Sequence, residues 1–115
     1  VSRHSAVTTH VLDTARGVPA AGLAVRLELV SDSGQLPVGR SVTDADGRAS
    51  DLGPVLLPPG VYRLVFDTGA YFAARGVEPA FFPEIVVTFR VISEVQRHHV
   101  PLLLSPFAYS TYRGS

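Results

Sequence analysis

An all-β domain of the sandwich or barrel kind is predicted by two features of this sequence. Short runs rich in Val, Leu, Ile, Phe and Tyr recur between clusters of Gly, Pro, Asp and Ser, and within several runs apolar and polar residues alternate with a period of two. Only one stretch reads as helix, so about eight strands and one short helix are expected. A chain of 115 residues that is 46% hydrophobic and 17% charged is of single-domain size and can bury a core. One domain over residues 1–115 is therefore predicted, with residues 1–6 as a flexible N-terminal arm.

The first strand runs from Val7 to Asp13 and the second from Leu23 to Val30. In the second, Leu23, Val25, Leu27 and Leu29 define one apolar face. Strands near Val38 to Thr43 and Arg48 to Leu52 flank Asp44-Ala45-Asp46-Gly47, whose Asp-Gly step supplies the positive φ of a tight hairpin. Arg48 then emerges directly from the turn. Val61 to Phe66 and Ile85 to Ile92 read as longer strands. The face of the latter made by Val86, Thr88, Arg90 and Ile92 is apolar enough to imply a covered surface. Between them, Asp67 or Thr68 can cap a short helix reaching Ala74, stopped by Gly76 and Pro79. Arg97 to Leu104 and Phe107 to Tyr112 form the last pair, and Pro101 argues for an edge or a bulge in the first of them.

Ten basic residues, all Arg, balance ten acidic ones, so no cationic excess draws the chain to nucleic acid or a membrane surface. No apolar run approaches the roughly 20 residues that span a bilayer. A small neutral or anionic partner fits better. The lack of cysteine removes thiolate nucleophiles, thiolate metal sites and disulfides without naming a compartment. The cytoplasm is expected, with the periplasm or an organelle as alternatives.

Near neutral pH, acid-base chemistry falls to four histidines, His4, His10, His98 and His99. Each has a bland reading as a partly exposed strand residue. If their segment is extended, His98 and His99 point to opposite faces and cannot chelate one metal together. No HExxH motif and no third ligand support a metal, so none is expected, nor any cofactor. Asp44 to Gly47 lacks the further ligands of a calcium loop and reads as a turn. With no G-x-S-x-G elbow and no cysteine, water activated by histidine is the hydrolytic option left. Phe107, Tyr109 and Tyr112 continue into Tyr112-Arg113-Gly114-Ser115, which suggests a docked terminus where fraying is the norm.

Four motifs then combine in order: Thr9-His10-Val11-Leu12-Asp13, Thr43-Asp44-Ala45-Asp46-Gly47-Arg48, His99-Val100-Pro101-Leu102-Leu103-Leu104-Ser105-Pro106, and Tyr112-Arg113-Gly114-Ser115. From about Val7 to Ser115 the chain resembles the 5-hydroxyisourate hydrolase family. The terminal Tyr-Arg-Gly-Ser separates those enzymes from the related hormone-carrier transthyretins. The resemblance implies a transthyretin-like two-sheet β-sandwich. It also implies hydrolysis of 5-hydroxyisourate to 2-oxo-4-hydroxy-4-carboxy-5-ureidoimidazoline in urate catabolism. It carries over His10, Arg48 and His99 as catalytic residues, and Tyr112, Arg113, Gly114 and Ser115 as the lining of the same site. Arg48 would stabilise an oxyanion, one of His10 and His99 would be the base, and the other would orient substrate or protonate the leaving nitrogen. The resemblance further implies a homotetramer with sites at the dimer–dimer interface. The competing readings are a carrier that binds an aromatic small molecule in the same channel and a plain interaction sandwich.

Overall fold

The computed structural model describes residues 4–115. Its strands are β1 (Val7–Asp13), β2 (Val18–Pro19), β3 (Ala24–Ser31), β4 (Gly34–Val42), β5 (Arg48–Ala49), β6 (Gly60–Phe66), β7 (Ile85–Val91), β8 (His98–Leu104) and β9 (Tyr109–Thr111). A single helix, α1 (Thr68–Ala73), follows β6. One sheet has the order β4-β3-β6-β7, antiparallel throughout. The other has the order β2-β1-β8-β9, with β5 also pairing β1. The chain is thus a two-sheet β-sandwich, as expected.

The period-two pattern explains the core. In β1, Val7, Thr9, Val11 and Asp13 are buried while Thr8, His10 and Leu12 are partly exposed. In β3, Val25 and Leu27 point inward and Ala24 and Arg26 outward. These inward residues meet Tyr62, Leu64 and Phe66 of β6 and Leu102 and Leu104 of β8 between the sheets. Each such large side chain, fully buried, contributes about 1.5–3 kcal/mol. Asp67 caps α1, its carboxylate accepting from the backbone N–H of Ala70 at 3.4 Å. The helix fastens to the other sheet through Tyr71, whose hydroxyl donates to the buried Asp13 carboxylate at 2.8 Å.

The Asp44 to Gly47 turn forms, but it is not the hairpin the sequence suggests. β4 pairs β3 in one sheet and β5 pairs β1 in the other, so the turn carries the chain between layers. Thr43 anchors the crossing: its buried hydroxyl accepts from the Leu23 N–H and donates to the Ala20 carbonyl. Gly47 has φ +77° and gives its carbonyl to the Val11 N–H at 2.7 Å. A Cβ on Gly47 would run into the Val11 carbonyl as well as occupy a left-handed conformation. Gly47→Ala is therefore expected to destabilise the chain by about 1–3 kcal/mol. Urea unfolding midpoints measure this, and an unchanged midpoint would refute it.

Three other expectations are corrected. The strand expected from Arg48 to Leu52 stops at Ala49, because Ser50 and Leu52 turn to bond Ser5. Of the arm expected over residues 1–6, residues 1–3 lie outside the described residues, but Ser5 and Ala6 are buried and hydrogen-bonded. Pro101 occupies neither an edge strand nor a bulge: β8 lies between β1 and β9, paired through Pro101 with β1 and from Leu102 onward with β9. The N–H that proline lacks falls on the β9 side, opposite Tyr112, and there the ladder opens before closing again at the His99–Gly114 bridge. The face of Val86, Thr88, Arg90 and Ile92 has Thr88, Arg90 and Ile92 exposed in one chain, so nothing within the chain covers it.

Candidate active site

Strand register gathers the polar residues of the motifs on the outer face of the β2-β1-β8-β9 sheet. Residues directly paired across two strands project to the same side. His10 of β1 pairs Arg48 of β5, Thr8 of β1 pairs His99 of β8, and His99 pairs Gly114 of the tail. Four segments far apart in sequence thus set Arg48, His10, Thr8, His99 and Gly114 side by side.

A cavity of about 490 Å³ opens on this face, with Thr8, Asp44, Arg48, Arg97, His99 and Ser115 among its walls. That volume lies within the range of small-molecule sites. Arg48 is held by its turn: the Asp44 carboxylate accepts from the backbone N–H groups of Arg48 at 3.0 Å and Asp46 at 2.9 Å. The Arg48 bond, then that from Asp46, together with the Arg48 and His10 charges, keep the Asp44 carboxyl below its usual range against the opposing effect of burial. The turn therefore fixes the backbone of Arg48 and leaves its guanidinium to the cavity.

The two motif histidines are in different states. His99 is partly buried, and its Nδ1 lies 2.8 Å from the Thr8 hydroxyl. Burial first, then the charges of Arg48 and His10, push its pKa below the usual histidine value, so the ring is neutral at pH 7. His10 is not part of the cavity wall but is the register partner of Arg48, which is. Its Nε2 lies 2.9 Å from the Asp46 carbonyl, an acceptor, so that nitrogen carries the proton and donates.

The terminal tetrapeptide divides. Gly114 and Ser115 line the His99 cavity, whereas Tyr112 and Arg113 border a separate cavity of about 330 Å³ with Phe89 and His98. The division falls where the ladder is open opposite Pro101. Within one chain, then, Tyr112 and Arg113 do not line the cavity of Arg48 and His99. Gly114 approaches His99 so closely that a Cβ there would lie 2.6 Å from the imidazole Cδ2.

His98 faces the opposite side from His99, as alternation requires, and is buried with no partner for its Nδ1 among the described residues. Burial, then the Arg113 charge, lower its pKa against a smaller opposing bond with Gln96. His4 lies outside the motifs but on the rim of the larger cavity, where its carbonyl accepts from Arg97 at 2.9 Å. Among the described residues no three His, Asp or Glu side chains converge as a metal cage would require.

The depressed His98 and His99 values have a stability consequence. Unfolded, both rings bind protons near pH 6.5; folded, they resist until the pH is lower. Below about 6.5 the unfolded state therefore holds more protons, and acidification favours it. Thermal midpoints are expected to fall between pH 7.5 and pH 5.5, and His98→Phe should flatten that slope. A slope unaltered in His98→Phe would remove His98 from the account.

Sequence reasoning missed Thr8, Asp44, Ser50 and Arg97. Alternation from His10 already puts Thr8 on the site face, but its partner depends on a β1–β8 register that no local signal fixes.

Comparison with known proteins identifies relatives of the chain. A family model described as HIUase/Transthyretin matches residues 7–114. A 5-hydroxyisourate hydrolase of Mus musculus is 48% identical, spanning 96% of each chain. One from Pseudomonas aeruginosa is 46% identical over 95% of this chain and 90% of its own. Among solved structures, Klebsiella pneumoniae 5-hydroxyisourate hydrolase superposes with a TM-score of 0.83 at 36% identity, covering 95% of this chain and 97% of that one. Sea bream transthyretin in complex with thyroxine superposes with a TM-score of 0.85 at 33% identity, covering 94% and 93%.

Proposed function

The chain belongs to the HIUase/transthyretin family, and on that premise we propose that it is an enzyme of urate breakdown that hydrolyses 5-hydroxyisourate to 2-oxo-4-hydroxy-4-carboxy-5-ureidoimidazoline. The observation that carries this reading is the meeting of Arg48 and a neutral His99 in one cavity of substrate size, closed at one side by Ser115.

Water attacks a carbonyl of the six-membered ring, the carbon–nitrogen bond breaks, and the released nitrogen takes up a proton. His99 Nε2 accepts the proton of the attacking water, since Nδ1 is occupied by Thr8. Arg48 faces the oxygen on which negative charge gathers, and a cation preorganised there stabilises the transition state more than the ground state. His10, fixed by Asp46, orients the substrate or protonates the leaving nitrogen. Ser115, in the wall of the same cavity, holds substrate or water.

The active form is a homotetramer with its sites at the dimer–dimer interface. In its support, the site face is open in one chain, β4, β7 and β9 are unpaired edges, and Ile92, Phe107 and Tyr112 are exposed. Sedimentation measures the assembly, and a stable monomer at working concentration would refute it. The carrier reading draws on the likeness to the thyroxine-bound transthyretin, but an arginine and two histidines give an aromatic carrier channel no advantage.

The deciding assay generates 5-hydroxyisourate from urate with a urate oxidase and follows its ultraviolet decay. Faster decay with the protein supports the hydrolase. No acceleration by folded protein would sink it and turn attention to ligand binding.

A further inference from the structure

We infer that Thr8 is a positioning residue that sets the tautomer of His99, its hydroxyl oxygen accepting the proton of Nδ1 so that the Nε2 lone pair faces the cavity. The inference rests on the reading of His99 as the base. It extends that reading to a residue outside the motif positions.

The geometry is specific. Thr8 Oγ1 lies 2.8 Å from Nδ1, and the two residues are direct register partners on adjacent parallel strands, so backbone hydrogen bonds on both sides fix the approach. Gly114, bridged to His99 from the other flank with its N–H donating to the His99 carbonyl at 2.7 Å, packs against the Cδ2 edge of the ring. The imidazole is thereby held from both sides. A neutral imidazole has one donor and one acceptor nitrogen. Only the tautomer protonated at Nδ1 leaves Nε2 able to take a proton from water. Once Nε2 has taken it, the Nδ1–H bond to Thr8 persists and stabilises the imidazolium.

Several charged or titratable groups surround this pair. Arg48 on β5 and His10 on β1 disfavour the imidazolium, and Asp44 of the turn, His4 and Arg97 line the same cavity. The hydrogen bond to the His99 ring Nδ1 is made by Thr8. Thr8 is thus the group placed to hold Nδ1, and its hydroxyl must accept there if Nε2 is to take a proton from water.

The test compares Thr8→Val, which keeps shape and strand propensity while deleting the acceptor, with Thr8→Ser, which restores it. In Thr8→Val, kcat/KM for 5-hydroxyisourate is expected to fall about 10- to 100-fold, the scale on which groups orienting a reactive imidazole act. Losing a bond to the protonated ring lowers the His99 pKa further, so the acid limb of the pH–rate profile moves to lower pH. Thr8→Ser should recover both rate and limb. A Thr8→Val enzyme with wild-type rate and limb would overturn the assignment, as would loss of activity in Thr8→Ser with no change in melting. Independently of turnover, ¹⁵N shifts of His99 in the wild-type protein report the tautomer: protonated Nδ1 supports the inference, protonated Nε2 refutes it. That measurement stands even if the protein proves inactive on 5-hydroxyisourate, which keeps the failure of one reading distinct from the failure of the other.

Discussion

Arg48→Ala is expected to lower kcat on 5-hydroxyisourate by about 10²-fold or more while leaving the fold intact. The side chain is exposed on the site face and makes no ion pair among the described residues, so its removal breaks no packing there. What holds the turn is backbone: the Asp44 carboxylate bonds to the N–H groups of residues 46 and 48, and Gly47 docks on Val11. Alanine preserves all of these. The loss should therefore appear in turnover, because an oxyanion donor is worth most where charge develops, and about 10²- to 10³-fold is the usual cost of deleting one. Arg48→Lys keeps the charge but not the planar fork and should fall between. Steady-state kinetics with matched melting curves decide it. Near-full activity in Arg48→Ala would remove the oxyanion role, and a rise in KM alone would reduce Arg48 to a binding group.

The sequence shows the long strands clearly and the short ones hardly at all, for a physical reason. β1 and β3 carry one apolar face against an opposite face in contact with water, and that difference is written into alternate residues. β2 and β5 are two residues each, and they are strands only because β1 offers them an edge. The Asp-Gly step marks a turn through its demand for positive φ, but nothing local says whether the strands beside it pair with each other or with partners in different layers. The candidate site divides the same way. His10, Arg48 and His99 are legible as motifs and come together on one face. Thr8 and Asp44 become visible only when register and turn geometry are known. The tail reads as a unit of four, but in one chain Tyr112 and Arg113 line one cavity and Gly114 and Ser115 another.

His99→Ala should cost about 10²- to 10⁴-fold in kcat/KM, the span associated with a positioned general base. Its signature is in the pH profile. Because burial, Arg48 and His10 hold the His99 pKa below the ordinary value near 6.5, wild-type kcat/KM should be flat at neutral pH and decline only as acidification protonates this ring. The sign follows from the role: a base works when neutral, so activity is present above its pKa and lost below. In His99→Ala the residual rate should lose that limb. His10→Ala provides the contrast. It removes a ring whose Nε2 proton is committed to the Asp46 carbonyl, so turnover should fall through lost orientation or protonation of the leaving nitrogen. It also removes one of the charges that disfavour the His99 imidazolium, so the surviving limb should move toward higher pH. If the limb instead persists in His99→Ala and vanishes in His10→Ala, the base is His10, and the cavity wall around His99 serves binding alone.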